Sequence, residues 1–264
     1  MKVVLFCGGQ GMRLRGHSGE VPKPLVEVGP RPILWHLMKY YAHFGHKDFI
    51  ICLGYGGRQI KEFFLNYSES EMNDFIYAEG GRSIELLGTD IDDWKITFVD
   101  TGQTSNVGER LRRVRPHLDG EEMFLANYAD GLSDLDLDTY VANFAATDNT
   151  ACFTTVHAPS SFHNVRIDGD GNVVAIEEIA RSSVRINAGF FVFRQGIFDV
   201  LNRNEELILK PFDRLIEQRK LMAVPYDGYW QPMDTFKDKS ELDALVEAGN
   251  PPWQVWNAGC TDCP

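Results

Sequence analysis

The chain has 264 residues, of which 44% are hydrophobic and 24% are charged, a composition typical of a globular protein with a sizeable core. Its formal net charge of -12 at pH 7 repels a polyanionic backbone, and no long block of lysine and arginine offsets that repulsion, although Arg110, Arg112, Arg113 and Arg115 lie close together. Nucleic acid is therefore not expected as a partner.

The apolar runs and the cysteines both predict a cytoplasmic protein. No apolar run approaches the roughly eighteen residues of a membrane span, and the run at residues 3–6 is too short for a signal peptide. A membrane partner is therefore not expected. The five cysteines are odd in number and scattered, which is typical of reduced thiols. Cys260 and Cys263 form a lone CxxC, which favours an unstructured tail over a zinc site.

Short β-branched and aromatic runs alternate with helical periodicity along the first 157 residues. Strands are predicted at residues 2–6, 48–53, 95–99, 123–127 and 151–156. Helical spacing is clearest at residues 32–44 and 58–67. This alternation predicts an α/β fold, a Rossmann-like and mostly parallel sheet flanked by helices.

Antiparallel signals follow after residue 157. Residues 165–167 and 173–176 flank the turn sequence Asp-Gly-Asp-Gly and predict an inserted β hairpin. A strand at residues 186–193 is expected to return to the sheet, and a helix at 236–248 is expected to end at Gly249. Residues 1–256 are thus predicted as a single domain with a C-terminal helical segment, and 257–264 as a tail.

A glycine loop directly after the first strand predicts a phosphate site. Gly8, Gly9 and Gly11 allow backbone N–H groups to converge on phosphate oxygens, Arg13 can grip two oxygens with its planar fork, and Lys23 adds a point charge. The spacing matches neither the dinucleotide G-x-G-x-x-G nor a P-loop. A dehydrogenase and a P-loop ATPase are therefore disfavoured.

Two acids are candidate metal ligands. Asp130 follows a predicted buried strand at its carboxyl end, where α/β sheets bind their ligands. Asp234 is the second candidate, although it could instead be the N-cap of the helix from residue 236. The run Asp134, Asp136 and Asp138 favours a solvated turn and helix start over a calcium loop, because the EF-hand glycine and glutamate are missing.

Nine stretches of this sequence together resemble one known family. They are residues 8–14 (Gly-Gly-Gln-Gly-Met-Arg-Leu), 22–24 (Pro-Lys-Pro), 32–36, 48–52, 99–102, 110–111, 128–136, 186–191 and 230–235 (Trp-Gln-Pro-Met-Asp-Thr). In matching order they resemble the sugar-1-phosphate nucleotidyltransferases, and among these most of all the glucose-1-phosphate cytidylyltransferases. The resemblance implies an enzyme that condenses a nucleoside triphosphate with a sugar phosphate and releases pyrophosphate.

The resemblance also implies a role for individual residues. The implied catalytic residues are Arg13, Lys23 and Asp130, and the metal ligands are Asp130 and Asp234 for Mg²⁺. The implied nucleotide-binding residues are Gly8, Gly9, Gly11, Met12, Arg13, Lys23, Gly102 and Arg110. The sugar side is assigned to Tyr128, Glu177, Asn187 and Trp230. The default substrates are CTP and glucose 1-phosphate, and the family suggests a homo-oligomer.

Three positions depart from the family pattern. Met12 replaces a small hydroxyl residue, and Glu109 replaces the second glycine of a Gly-Gly-Arg motif; both lie on the nucleotide side and leave another base open. Glu178 replaces a lysine that faces the sugar phosphate, which leaves a different phosphorylated acceptor open. We expect Arg181 or Arg185 to supply the missing positive charge on the substrate side. A catalytically weakened regulatory paralogue is the alternative of a different class.

Overall fold

The computed structural model describes residues 1–9, 21–158, 163–178 and 183–257. Its strands are β1 (Lys2–Cys7), β2 (Glu27–Val28), β3 (Arg31–Pro32), β4 (Asp48–Leu53), β5 (Phe75–Ala78), β6 (Ser83–Leu86), β7 (Lys95–Asp100), β8 (Met123–Tyr128), β9 (Gly131–Ser133), β10 (Ala151–His157), β11 (His163–Ile167), β12 (Val173–Glu178), β13 (Arg185–Asn187), β14 (Phe191–Arg194), β15 (Leu221–Pro225) and β16 (Trp230–Pro232). Its α-helices are α1 (Ile33–His43), α2 (Gly57–Leu65), α3 (Glu69–Met72), α4 (Val107–Val114), α5 (Leu137–Ala145), α6 (Ile197–Val200), α7 (Lys210–Glu217) and α8 (Phe236–Glu247). Within these residues, none of the helices is long and apolar enough to cross a membrane.

The central sheet has eight strands, seven of them in the order β13-β10-β14-β8-β1-β4-β7, with β15 beside β10. Strands β8, β1, β4 and β7 are mutually parallel, whereas β14 is antiparallel to β8 and to β10. Strands β1 and β4 are nearly continuous apolar runs because helices cover both of their faces. The predicted α/β class is confirmed, and the sheet is mixed.

The parallel strands place four loops at one edge of the sheet. Gly8 follows β1, Gly54 follows β4, Thr101 follows β7 and Ala129 follows β8. Carboxyl ends of parallel strands share an edge, which is where ligands bind in such sheets. This edge therefore carries the candidate site.

The predicted hairpin is present as β11 and β12, which pair antiparallel. Its turn is closed by the Asp168 carboxylate, whose Oδ1 accepts the N–H groups of Asp170 and Asn172 at 3.0 and 2.8 Å. A second hairpin, β5 with β6, was not predicted. Gly80-Gly81 between two apolar runs is the turn signal that could have found it.

The single strand predicted at 186–193 is wrong, because the chain breaks between β13 and β14. Gly189 and Phe190 adopt left-handed backbone angles, with φ of 79° and 51°. The buried Asn127 side chain stabilises the backbone between β13 and β14 by accepting a hydrogen bond from the Phe190 N–H at 3.0 Å. A Cβ on Gly189 would lie 2.3 Å from that same Asn127 oxygen, so the position requires glycine.

Replacing Gly189 by alanine is expected to destabilise the protein by more than the left-handed backbone alone, which costs about 1–2 kcal/mol. The excess arises because the new methyl collides with Asn127. Gly120→Ala is the matched control, since Gly120 has φ of 86° and a methyl group added there would meet nothing within 4 Å. Urea unfolding of both variants measures the difference, and equal midpoints would contradict the crowding at Gly189.

The segment after α8 is attached to the core through a buried histidine. His36 Nε2 lies 2.9 Å from the Val28 carbonyl, and Trp253 Nε1 donates to His36 Nδ1 at 3.2 Å. This pairing makes Nε2 the donor to Val28 and keeps the ring neutral. Burial lowers the pKa of His36 from 6.5 to about 4.

The low pKa of His36 predicts acid sensitivity. The unfolded chain takes up the proton near pH 6.5, whereas the folded protein takes it up only near pH 4. The free energy of unfolding is therefore highest above pH 6.5 and falls by about 3 kcal/mol as the pH drops from 6.5 to 4. His36→Gln keeps a donor and an acceptor without the titration, and we expect it to flatten urea midpoints measured from pH 7 to 4. His163→Gln, on an exposed strand, is the control. A His36→Gln profile parallel to wild type would contradict this origin.

Candidate functional site

A two-stranded ribbon brings the two candidate metal acids together. Strands β9 and β16 pair antiparallel, with Gly131 opposite Pro232, and the Met233 N–H donates to the Asp130 carbonyl at 2.8 Å. Asp130 precedes the first strand of this ribbon and Asp234 follows the second. The ribbon therefore fixes the backbones of two acids that are more than a hundred residues apart in the chain.

Lys23 joins the two carboxylates. Its Nζ donates to Asp130 Oδ2 at 2.7 Å and to Asp234 Oδ1 at 2.6 Å, and its side chain is only 13% exposed. Burial by itself lowers the pKa of Lys23, but the two carboxylates outweigh it and the pKa is raised. Lys23 is thus a charged ammonium that neutralises half of the charge of the acid pair.

The backbone under Lys23 is held in place. Lys23 begins a short 3-10 helix, Lys23–Leu25, in which the Leu25 N–H donates to the Pro22 carbonyl at 2.8 Å. Prolines on both sides of Lys23 restrict the backbone further. Only the side chain of Lys23 is therefore free to reorient.

The alternative that Asp234 caps the last helix is wrong. Thr235 is the N-cap of α8, and its side chain accepts the Asp238 N–H in a reciprocal capping box. The Asp238 carboxylate accepts the N–H groups of Asp234 and Thr235 at 2.9 and 2.7 Å. The Asp234 carboxylate is consequently available to Lys23 or to a cation.

Arg110 ties together three loops at the carboxyl edge of the sheet. Its guanidinium donates to the carbonyls of Gly8, Leu53, Gly102 and Gln103 and to the Thr101 hydroxyl, at 2.7–3.4 Å. A Cβ on Gly8 would lie 2.0 Å from Arg110 Cζ, so only glycine permits this approach. Arg110 therefore holds these loops together, and it also lines the cleft between them.

A cleft of about 450 Å³ opens between these loops. It is lined by Phe6, Gly8, Gly9, Gln103, Thr104, Ser105, Asn106, Val107, Arg110, Tyr128, Ala129, Asp130 and Glu206. Gly8, Gly9, Arg110, Tyr128 and Asp130 were singled out from the sequence, whereas residues 103–107 and Glu206 were not. The Asn106 N-cap at the start of α4 is the signal that could have marked the loop 103–106, and no sequence signal marks Glu206.

Glu109, one of the departures from the family pattern, is buried and makes contacts that stabilise the fold. Its carboxylate is 1% exposed, pairs with Arg112 and Arg113, and accepts the Asn204 N–H at 3.2 Å. Its hydrogen bond with Arg112 is the largest of the effects that lower its pKa. These contacts fasten α4 to the loop that carries Glu206.

Three of the residues assigned to the sugar lie together beside Asp130. Asn187 Nδ2 donates to the Tyr128 hydroxyl at 3.2 Å, and Trp230 Nε1 donates to the Ala188 carbonyl at 3.0 Å. Glu177 lies on the exposed strand β12, where Arg166 pairs with it at 3.6 Å. Arg185, expected as a replacement cation, pairs with Asp227 at 2.5 Å and with the Thr155 carbonyl at 3.1 Å.

Several sequence predictions lie outside the described residues. Gly11, Met12 and Arg13 fall in the segment 10–20, Arg181 falls in 179–182, and Cys260 and Cys263 fall in 258–264. Cys7, Cys52 and Cys152 are buried free thiols, as the reduced state predicts.

The acid pair suits a hard divalent cation bound together with a substrate. Across residues 1–9, 21–158, 163–178 and 183–257, no group of three or more His, Cys, Asp or Glu side chains could hold a metal by itself. Mg²⁺ prefers one or two carboxylates completed by substrate phosphates and water. Asp130 and Asp234, already bridged by one cation, fit that requirement.

The chain is similar to known proteins over nearly its whole length. The crystal structure of HddC from Yersinia pseudotuberculosis superposes with a TM-score of 0.65 and 18% identity, covering 93% of this chain and 99% of that one, which shows a shared fold. Glucose-1-phosphate cytidylyltransferases of Salmonella typhi and Salmonella typhimurium are each 39% identical over 258 residues, 97% of this chain and 100% of theirs. The nucleotidyl transferase family pattern matches residues 2–248. The chain therefore belongs to the nucleotidyl transferase family.

Proposed function

We propose that this protein condenses a nucleoside triphosphate with a sugar 1-phosphate, giving a nucleotide sugar and pyrophosphate. The observation that carries the proposal is the lysine-bridged acid pair, Asp130 and Asp234, at the end of a glycine-lined cleft. The two Salmonella relatives are named as glucose-1-phosphate cytidylyltransferases, so CTP and glucose 1-phosphate are the substrates that we propose first.

The proposed reaction joins two anions. A phosphate oxygen of the sugar phosphate attacks the α-phosphorus of the nucleotide in line, a new P–O bond forms, and the bond to pyrophosphate breaks. The protein aligns the reactants and screens their repulsion, so it requires cations and N–H donors and no covalent intermediate. Asp130 and Asp234 would hold Mg²⁺, which supplies charge stabilisation to the transferring phosphate.

The remaining residues divide between the two substrates. Gly8, Gly9, Gly11 and Lys23 are proposed to hold the triphosphate, with Arg13 at the reacting phosphates. Met12, Gly102 and Arg110 are proposed on the nucleotide side, where Arg110 shapes the loops.

The proposed sugar pocket is walled by Tyr128, Asn187 and Trp230. The contacts among these residues and Ala188 support this assignment. Glu177 and Arg181 complete the proposed set. Because Arg185 is already paired with Asp227, Arg181 is the cation that we propose in place of the lysine that the family has at position 178.

Release of pyrophosphate tests the function. Purified protein with Mg²⁺ is assayed with CTP, UTP, dTTP, ATP and GTP, each with glucose 1-phosphate and with the 1-phosphates of mannose, galactose and N-acetylglucosamine. We expect release only when both substrates are present, and fastest with CTP and glucose 1-phosphate. If another pair gives the fastest release, the proposed reaction stands and that pair replaces CTP and glucose 1-phosphate as the proposed substrates. No release with any pair, from protein that binds CTP, would identify a regulatory paralogue.

Location, domain limits and assembly are further proposals. The buried free thiols support a cytoplasmic location, and residues 1–256 are proposed as one domain followed by a tail.

Self-association is supported by exposed apolar residues on the β11–β12 hairpin, where Val165 and Ile176 are opposite each other and 49% and 64% exposed. Sedimentation velocity of wild type and of Ile176→Lys tests it.

A further inference from the structure

Lys23 lies where a metal bound by Asp130 Oδ2 and Asp234 Oδ1 would lie. Two of the three donors of its ammonium group are used by the two carboxylates, at 2.7 and 2.6 Å. The lone pairs of both acids thus converge on one nitrogen. A Mg²⁺ ion bound by the same two oxygens, at its usual distance of about 2.0–2.1 Å, would overlap that nitrogen.

The ammonium and the metal exclude each other by charge as well as by space. Two carboxylates carry two negative charges, which a divalent cation alone balances. An ammonium left a few ångströms from that cation, in a site where Lys23 is 13% exposed, would be repelled. Occupation by the metal therefore requires the lysine side chain to leave.

The structure also limits where the lysine can go. The backbone at Lys23 is held by the flanking prolines and by the Leu25 N–H to Pro22 hydrogen bond, so only the flexible side chain turns. Asp130 is shared between the acid pair and the glycine-lined cleft. Because Asp130 lines that cleft, a swing of the side chain into it would bring the ammonium towards the proposed triphosphate.

We propose that Lys23 occupies the cation position of the ligand-free protein and is exchanged for the divalent metal when the nucleotide arrives. The inference rests on the proposed function for the nucleotide, and on the geometry alone for the competition with the metal. One side chain thereby neutralises half of the charge of the acid pair before binding and screens the phosphates afterwards. A bare metal ion binds weakly, because no phosphate is present to accept the displaced ammonium.

Binding of Mn²⁺ alone to the ligand-free, full-length protein tests the exchange, with free Mn²⁺ measured by electron paramagnetic resonance. We expect Lys23→Met and Lys23→Gln each to bind Mn²⁺ at least tenfold more tightly than wild type. Adding Asp130→Asn to Lys23→Met should remove the gain. Lys39→Met is the matched control, because Lys39 is a partly buried lysine paired with a carboxylate elsewhere, that of Asp90.

Mn²⁺ affinities within twofold of wild type in both Lys23 variants, with circular dichroism showing an intact fold, would overturn the exchange. A tenfold gain in Lys39→Met as well would overturn it too, since net charge alone would then explain the effect. The measurement needs no turnover. If the gain is found while no substrate pair releases pyrophosphate, the exchange stands and the proposed function fails.

Discussion

Replacing Asp130 or Asp234 by asparagine is expected to lower turnover at least about a hundredfold without unfolding the protein. Charge stabilisation by a bound metal ion contributes several kcal/mol to the transition state, and each 1.36 kcal/mol is a factor of ten in rate. An amide keeps the size of the carboxylate and removes its charge. The loss should therefore appear mainly in kcat, with the Michaelis constant of the sugar phosphate little changed.

The backbone contacts around Asp130 and Asp234 indicate that the fold survives these substitutions. The backbone of both acids is held by the β9–β16 ribbon and by the capping box of α8, not by their carboxylates. Their side chains are 33% and 46% exposed, so an amide there is solvated. Asp138→Asn, at an exposed position in the first turn of α5, is the control.

Pyrophosphate release at saturating Mg²⁺ measures the effect of each acid, after circular dichroism has shown an intact fold. Near wild-type turnover in either variant would make that acid structural. Loss of activity in Asp138→Asn as well would show that asparagine substitution in this acidic region acts through the fold.

Features with a local cause could be predicted from the sequence. The parallel core strands were found because β1 and β4 are nearly continuous apolar runs, which burial on both faces produces. The β11–β12 hairpin was found because the residues of its turn determine its geometry locally. Asp130 was found because it follows a buried strand at its carboxyl end.

Features caused by distant partners could not be predicted. The break at Gly189 depends on Asn127, which is 63 residues from the hydrogen-bonded Phe190. The pairing of Lys23 with Asp234 spans 211 residues, and nothing local in either motif indicates it. Arg110 was assigned to the nucleotide by resemblance, but its guanidinium donates to backbone carbonyls that only the assembled sheet brings together.

Replacing Arg110 by lysine is expected to destabilise the protein by about 3–5 kcal/mol, the sum expected when two or more buried acceptors lose their donor. Arg110 is 4% exposed and donates to acceptors at the carboxyl ends of β1, β4 and β7. A lysine keeps the charge but has three donors on a single nitrogen, whereas the guanidinium offers five in a planar fork. Several buried carbonyls would be left unpaired, and each costs about 1–3 kcal/mol.

Nucleotide binding should weaken in the same variant, because the guanidinium holds Gly8, Gly102 and Gln103 around the cleft. Urea unfolding measures the stability, and calorimetric titration with CTP and Mg²⁺ at a temperature where the variant is folded measures the affinity. Arg115→Lys, at an exposed arginine over the Phe198 ring, is the control and should change stability by less than about 1 kcal/mol. An Arg110→Lys variant with the wild-type urea midpoint and CTP affinity would show that the loops hold their positions without the guanidinium. A changed affinity at an unchanged midpoint would instead assign Arg110 to the nucleotide itself, the role that the family resemblance implies.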